Sequence, residues 1–248
     1  MIINNDSFRL VGILGNPLTQ SMSPMLHNYW LNKYKINSSY VTFPLKNLSD
    51  IKLSIKTMNL VGLNITIPYK KEIINHLDNI DEKAKKLKAV NTVLNKKGKL
   101  IGFNTDIEGF GRGLEKKSNW VKTRPVYIFG AGGAAESAIS FIYAAGSRDI
   151  TIVNRTIDNA KKIAERYKGV KFTNKVKKEN FIETGLMVNT TSLGMIGYPD
   201  LNIDLEKINK EAIIYDIVYN PIETNLIKKA QKQGLKYITG IDMFIEQA

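Results

Sequence analysis

Val126-Tyr127-Ile128-Phe129-Gly130-Ala131-Gly132-Gly133-Ala134-Ala135 is the stretch whose reading decides the fold. A short apolar run ends abruptly in glycines, and a helical pattern follows from about Ala134 to Ala145. A strand feeding a glycine-rich turn into a helix is the geometry that receives a dinucleotide pyrophosphate. The glycines admit a close backbone approach, and the helix N-terminus offers unpaired N–H groups and a positive dipole end. Gly130, Gly132 and Ala135 match the G-x-G-x-x-G/A spacing, with Ala131, Gly133 and Ala134 completing the loop. On spacing alone, a tight strand–helix turn with no ligand is an equal reading, so the flanking chain has to decide.

Downstream, strands are expected at 125–129, 149–153, 170–173, 186–189, 212–217 and 236–239. Helices lie between several of them, most clearly Thr156–Tyr167 and Thr224–Gln233. Six short apolar runs alternating with helices imply a doubly wound parallel sheet. The strand after the glycine loop ends in Asn154-Arg155-Thr156. An NAD site usually places an acid there to take the ribose 2′-hydroxyl. Here no acid occupies the strand end, although Asp158 lies close by. A guanidinium meets a 2′-phosphate bidentately, so Asn154, Arg155 and Thr156 point to NADP. Capping of the next helix is the simpler explanation of Thr156. Asn189-Thr190-Thr191-Ser192, followed by Gly194, ends the fourth strand at the carboxyl edge, where the nicotinamide side of a crevice belongs; an ordinary turn is the alternative. Ile241–Ala248 reads as a helix.

Upstream, Ser118–Arg124 is a polar connector, and the pattern differs from the second half. Phe8–Leu14 reads as a buried strand closed by Gly15-Asn16-Pro17. In Ser21-Met22-Ser23-Pro24, Ser23 is a good N-cap and Pro24 a good first residue for a helix to about Lys35. Capping leaves Ser21 unexplained, and two hydroxyls beside a helix N-terminus also suit a carboxylate. Ser39–Phe43 is a strand, Leu48–Met58 a helix and Gly62–Ile67 a strand. In Asn64-Ile65-Thr66-Ile67, the polar residues share one face, and Lys70 follows the strand's C-terminal end, the ligand edge of open α/β sheets. Most lysines in this chain are surface charges, so position alone singles out Lys70. Helices are expected at Lys70–Leu77 and Asp81–Leu87. Val90–Asn95, Lys97-Gly98 and Leu100–Phe103 read as a hairpin carrying Asn91. Thr105-Asp106 follows it, with Asp106 opening a helix to about Lys117, where a plain N-cap is the simpler explanation of it.

The 248 residues, 43% hydrophobic, suffice for one large α/β domain or two smaller ones. The absence of cysteine excludes disulfides and thiolate metal sites and suits the cytoplasm. Met1–Arg9 lacks the apolar core of a signal peptide, and no apolar run approaches the roughly 18 residues of a membrane span. The net charge of +13 raises nucleic-acid binding. Its lysines are scattered over solvated helix faces, however, and no aromatics interleave with them as a stacking platform. Neither a nucleic-acid nor a membrane partner is expected. The positive field suits small anionic substrates and phosphorylated cofactors.

In chain order, Gly15-Asn16-Pro17 with Ser21-x-Ser23-Pro24, Asn64-x-Thr66-x-Pro68-Tyr69-Lys70, Val90-Asn91-Thr92, Asn104-Thr105-Asp106, Gly130–Ala134, Asn154-Arg155-Thr156, Tyr219, and Gly240-Ile241-Asp242-Met243 leading to Gln247 resemble the shikimate dehydrogenase family. The resemblance runs from about Gly12 to Gln247. It implies two domains with a crevice between them. Residues 1–105, joined by 240–248, would form an α/β substrate domain, and 106–239 a Rossmann-like doubly wound domain for NADP. It implies reversible reduction of 3-dehydroshikimate to shikimate with NADPH, on the route to chorismate and the aromatic amino acids, in a cytoplasmic monomer or homodimer. Ser21 and Ser23 would bind the substrate carboxylate. Asn64, Thr66, Asn91, Thr105, Asp106, Tyr219 and Gln247 would surround its ring, and Lys70 and Asp106 would be the catalytic pair. Thr190, Ser192, Ile217 and Gly240 would join the loop glycines and Arg155 around the cofactor. A free lysine has a pKa of about 10.4, poorly matched to neutral pH. Partial burial would lower it and an adjacent carboxylate would favour the ammonium, so Asp106 is expected mainly to orient Lys70, which gives a proton to the developing alkoxide. Two departures stand out: Ile157-Asp158-Asn159 follows Asn-Arg-Thr where the family often carries a further base, and the family's last helix continues past the Gln-Ala pair. The alternatives are a quinate/shikimate dehydrogenase using NAD and a non-catalytic NADP sensor; the Lys70–Asp106 pair argues against the sensor.

Overall fold

The computed structural model describes residues 8–248. The reading of the first residues as lacking a leader core lies largely outside the described residues. Contacts divide the chain into two compact units, one ending at Thr105 and taking Ala248, the other Asp106–Gln247.

The first unit is built on a six-stranded sheet. The apolar run of β1 (Arg9–Gly15) becomes progressively buried and is flanked on both sides by parallel partners, β2 (Ser38–Pro44) and β3 (Leu60–Ile65). Helix α1 (Ser23–Lys33) and helix α2 (Ile51–Thr57) make the two crossovers. The first hairpin strand, β5 (Thr92–Lys96), adds antiparallel to β3, and the second, β6 (Lys99–Phe103), adds antiparallel to β5. Its turn residues Lys97 and Gly98 have φ of 53° and 85°, as a tight hairpin requires. A two-residue strand, β4 (Asn79–Ile80), completes the order β2-β1-β3-β5-β6-β4. Sequence patterning missed it, because two residues carry no alternation. The expected helix at Lys70–Leu77 is a 3-10 helix, Glu72–His76. Helix α3 (Glu82–Leu87) is capped by Asp81, whose carboxylate accepts from the Ala84 and Lys83 N–H groups. Leu14, Leu60, Ile65, Ile73 and Val90 fill the core.

The second unit opens with α4 (Asp106–Lys117) and then alternates. In order it holds β7 (Val126–Phe129), α5 (Gly133–Ala144), β8 (Ile150–Val153), α6 (Ile157–Ala164), β9 (Lys171–Thr173) and β10 (Leu186–Asn189). β11 (Ile213–Asp216), α7 (Asn225–Lys232), β12 (Lys236–Ile238) and α8 (Gly240–Gln247) follow. The six strands are all parallel, in the order β12-β11-β10-β7-β8-β9. Counted within this unit, that is 6-5-4-1-2-3, the doubly wound order. β10 and β11 are buried along their whole length, as strands covered on both faces must be.

Residues 240–248 were expected to join the first unit. Instead, α8 packs along α4 in the second unit, and only Ala248 groups with the first. The cause is close helix packing: a Cβ on Gly109 would lie 2.5 Å from the Gln247 Cβ, so α4 offers α8 a bare backbone face. Lys116 and Arg112 on α4 pair with Glu246, and Lys117 with Asp242. No helix among the described residues is long and apolar enough to cross a membrane.

Candidate active site

In the first unit, polar side chains gather where β3 ends and the β5–β6 hairpin begins. Ser23 is the first residue of α1, not its cap. Met22 holds the cap position, and no side chain caps this helix. The Ser21 hydroxyl oxygen instead accepts the Ser23 N–H at 3.3 Å, which leaves the Ser21 proton free to donate. The Ser23 hydroxyl is bonded to the phenol of Tyr40, a buried residue of β2. Tyr40 in turn donates to the Asn64 Oδ1 at 2.7 Å.

Asn64 continues the chain. Its amide donates to the Thr92 Oγ1 at 3.2 Å, and Thr92 donates to the Asn91 Oδ1 at 3.0 Å. The Asn91 Oδ1 also accepts the Thr105 N–H at 2.9 Å, and the Asn91 amide reaches the Thr105 Oγ1 at 2.9 Å. Ser23, Asn64, Asn91 and Thr105 therefore share one continuous hydrogen-bonded network. Thr66 lies just beyond β3. Its N–H donates to the Leu14 carbonyl and its carbonyl accepts from Tyr69, which makes a tight turn ahead of Lys70. Lys70 is half-buried, and its carbonyl accepts the Val90 N–H at 2.8 Å, fixing its backbone against the hairpin.

In the second unit, Gly130 has φ of 112°, a conformation that L side chains rarely adopt, and it turns the chain from β7 into α5. Gly132 is the α5 N-cap, and no side chain caps the helix. A Cβ at Gly132 or Gly133 would meet nothing within 4 Å. The loop thus leaves open space over uncapped N–H groups, and Ala131 and Ala134 are half-buried beside it. A pyrophosphate fits this cradle by its own donors and by the helix dipole.

At the end of β8, the Asn154 amide donates to the Thr156 carbonyl at 2.7 Å and closes a small turn. Arg155 and Thr156 are exposed. Thr156 holds the α6 N-cap position, yet its side chain makes no capping bond, so capping does not account for its hydroxyl. Arg155 forms no ion pair among the described residues. Both groups suit a phosphate.

The strand ends on the other side of β7 behave differently. The Thr190 hydroxyl donates to the Phe129 carbonyl at 2.7 Å, so it holds the loop in place and is not offered outward. Ser192 is exposed. Ile217 donates its N–H to the Asn189 carbonyl, and Gly240 opens α8 so near the Ile217 carbonyl that a Cβ would lie 2.2 Å from it. Beneath them sits Asp216, fully buried. Its Oδ1 accepts from the Asn189 amide at 2.9 Å and the Val218 N–H at 3.0 Å, and its Oδ2 accepts the Thr224 hydroxyl at 2.6 Å. Burial pushes its carboxyl up to about 6 against the pull of those three donors. Asp106 is buried at the start of α4. Tyr219 stacks on Phe244 of α8 at 4.8 Å, and the Gln247 amide donates to the Phe244 carbonyl, so both ring-binding candidates contact the same residue of α8.

A family model described as the shikimate dehydrogenase substrate binding domain matches residues 13–93, and one described as shikimate / quinate 5-dehydrogenase matches residues 113–186. A shikimate dehydrogenase (NADP(+)) of Pelagibacter ubique is 39% identical over 95% of this chain and 89% of its own length. The chain belongs to the shikimate dehydrogenase family. Within the family, a shikimate 5-dehydrogenase of Thermus thermophilus, solved with NADP(H) and shikimate, superposes with a TM-score of 0.85 at 32% identity over 96% of this chain and 90% of that one. A quinate dehydrogenase of Corynebacterium glutamicum, solved with NAD, superposes at 0.90 with 28% identity over 97% and 91%.

Sequence reasoning missed Tyr40 and Asp216. Tyr40 lies on a strand face that reads as core, and its signal was the need of a buried phenol for a partner. Asp216 ends an otherwise apolar run, Ile213-Ile214-Tyr215, and an acid closing a buried strand was the available clue.

Proposed function

We propose that this chain is a shikimate dehydrogenase that reversibly reduces 3-dehydroshikimate to shikimate with NADPH, in the supply of chorismate and the aromatic amino acids. One observation carries the cofactor side: Arg155 stands exposed at the end of β8 with no acid on that strand end. A guanidinium there favours a 2′-phosphate over a bare ribose hydroxyl. Residues 1–105 form the substrate domain and the unit beginning at Asp106 the cofactor domain. The Gly130–Ala134 loop receives the pyrophosphate, and Asn154, Arg155 and Thr156 the 2′-phosphate. Thr190, Ser192, Ile217 and Gly240 shape the nicotinamide end. When bound, the cofactor supplies or accepts the hydride.

The protein's own work is proton transfer and positioning. Ser21 and Ser23 hold the substrate carboxylate; the free Ser21 proton is ready for it. Asn64, Thr66, Asn91 and Thr105, with Tyr219 and Gln247, hold the ring hydroxyls. Lys70 gives its proton to the ketone oxygen as the alkoxide develops and takes it back in the reverse direction. Asp106 orients that exchange. The enzyme works as a soluble cytoplasmic monomer or homodimer.

Quinate with NAD is the second reading, favoured by the likeness to the quinate dehydrogenase and by Asp158 near the β8 end. Steady-state oxidation of shikimate and of quinate with NADP and with NAD separates the two. The expected result is the highest kcat/KM for shikimate with NADP. A higher kcat/KM for quinate with NAD overturns the proposal.

A further inference from the structure

Four polar residues proposed to face the substrate share one network, and Tyr40 is the member with no role of its own in that list. Its backbone is pinned on both sides by one residue of α1: Tyr40 N–H donates to the Asn28 Oδ1 at 2.9 Å, and the Asn28 amide donates to the Tyr40 carbonyl at 2.8 Å. Its ring is pinned by His27, which stacks flat on it at 4.2 Å with an interplanar angle of 1°. Its hydroxyl is bonded to Ser23 on one side and to Asn64 on the other. A tyrosine 4% exposed, held at backbone, ring and hydroxyl, has little freedom left.

The direction of the bonds follows from the far end. The Asn64 amide nitrogen faces the Thr92 hydroxyl at 3.2 Å and the Asn91 carbonyl at 3.5 Å, and a carbonyl can only accept. That fixes the nitrogen on the hairpin side and Oδ1 on the Tyr40 side, so the phenol donates to Asn64. Having given its proton there, it accepts from Ser23. Burial holds the phenol well above its ordinary pKa, so it remains a donor throughout the pH range of catalysis. Burial also lowers the His27 pKa, which keeps the stacked ring neutral near neutral pH.

We propose that Tyr40 is a positioning residue for substrate recognition: its hydroxyl fixes the orientation of the Asn64 amide and couples it to Ser23. The inference rests on the proposed shikimate site. Without the phenol proton, the Asn64 Oδ1 loses its donor, and the amide keeps only its bonds on the hairpin side, so it is no longer held at both ends towards the space where a ring hydroxyl is to be recognised. A carboxylate at Ser23 and a hydroxyl at Asn64 are then no longer read by one preset unit. The effect belongs to substrate binding and leaves the chemical step alone.

The test is steady-state kinetics of the full chain with shikimate and NADP for the wild type, Tyr40→Phe, Asn64→Ala and the double variant. Tyr40→Phe keeps the ring and its stack on His27. It is expected to raise the KM for shikimate about tenfold, with kcat and the KM for NADP within about twofold of wild type. In the Asn64→Ala background, the same substitution is expected to add less than about twofold, because its route of action is gone. His27→Leu, which removes the flat stack and leaves every hydrogen-bonding partner, is expected to raise the KM for shikimate about threefold, and it carries the test if Tyr40→Phe does not fold. A shikimate KM within about twofold of wild type in Tyr40→Phe, or a full tenfold increase on top of Asn64→Ala, overturns the inference. So does a loss of kcat and NADP binding together with shikimate binding, the mark of a general structural defect. A wild type that oxidises shikimate with neither cofactor removes the proposed function and this inference with it. An active wild type with an unchanged Tyr40→Phe removes this inference alone.

Discussion

The two units prepare for their ligands by opposite means. In the first, side chains do the work: Ser23, Tyr40, Asn64, Thr92, Asn91 and Thr105 bond to one another before any ligand arrives. In the second, the backbone does it: Gly130 turns, Gly132 and Gly133 leave open space, and the N-terminus of α5 is uncapped. Each means suits its ligand. A ring with several hydroxyls is told from its relatives by donors and acceptors of fixed direction, and leaving one unmatched is costly. A pyrophosphate is much the same in every dinucleotide, and main-chain N–H groups suffice for it. Single side-chain changes should therefore damage binding of the first unit's ligand selectively, whereas the second unit should yield mainly where a side chain reaches out, as at Arg155, or holds the strand ends together, as at Asp216.

The largest effect is expected at Lys70. Lys70→Ala removes the proposed proton donor and is expected to lower kcat by about 100- to 10,000-fold, the usual worth of a positioned acid or base. The KM for NADP should stay within about twofold, because the residue belongs to the unit that reads the other ligand. Near-normal kcat with an unchanged pH profile would remove Lys70 from the mechanism.

Asp216 tests how far the chain beyond the ends of β10 and β11 depends on a buried side chain. Its folded-state pKa of about 6 lies above the ordinary 3.8. The folded protein therefore holds this proton more tightly than the unfolded chain does. The resulting stabilisation is complete below about pH 4 and is lost as pH rises through about 6. A shift of this size corresponds to about 3 kcal/mol. Asn at this position can satisfy every partner: Oδ1 accepts from Asn189 and Val218 as now, and Nδ2 donates to the Thr224 oxygen in place of the bond the hydroxyl now gives. Urea unfolding of wild type and Asp216→Asn should then show wild type losing about 3 kcal/mol relative to the variant between pH 4 and pH 7. A constant difference would mean that Asp216 is charged at both ends of that range, with its three donors outweighing burial.

These two residues also mark what the sequence made legible. Lys70 was visible because a strand pattern placed it at a ligand edge, and the doubly wound half was visible because buried parallel strands alternate with amphipathic helices at a regular spacing. Short elements escaped: β4 has two residues, and the turn after Lys70 is a 3-10 helix where the pattern suggested an α-helix. Asp216 and Tyr40 escaped for a different reason. Their importance lies in partners far along the chain, Asn189, 27 residues away, for one and Asn64, 24 residues away, for the other, and periodicity records which face a residue occupies but not what it meets there. The capping explanations of Ser23 and Thr156 failed in the informative direction, since both hydroxyls turn out to be unused by their helices. The placement of 240–248 failed because Gly109 and its neighbours on α4 make a docking face that only three dimensions display.

Arg155 gives the smallest of the three effects and the sharpest test of the contrast between the units. Its guanidinium is exposed and has no carboxylate partner among the described residues, so replacing it leaves no buried group unsatisfied and should not affect folding. Its proposed acceptor is the 2′-phosphate, a group that NADH lacks. A hydrogen bond to a charged group contributes about 1.5–3 kcal/mol. Arg155→Ala is accordingly expected to raise the KM for NADPH about 10- to 100-fold, to leave the KM for NADH within about twofold, and to leave the KM for 3-dehydroshikimate unchanged. The comparison between the two cofactors decides the matter. Equal losses with NADPH and NADH would place Arg155 on a part of the cofactor that both share, and no loss with either would return the 2′-phosphate to Asn154 and Thr156. A preference reversed to NADH, by contrast, would show that one exposed side chain sets the cofactor choice over a backbone cradle that accepts both.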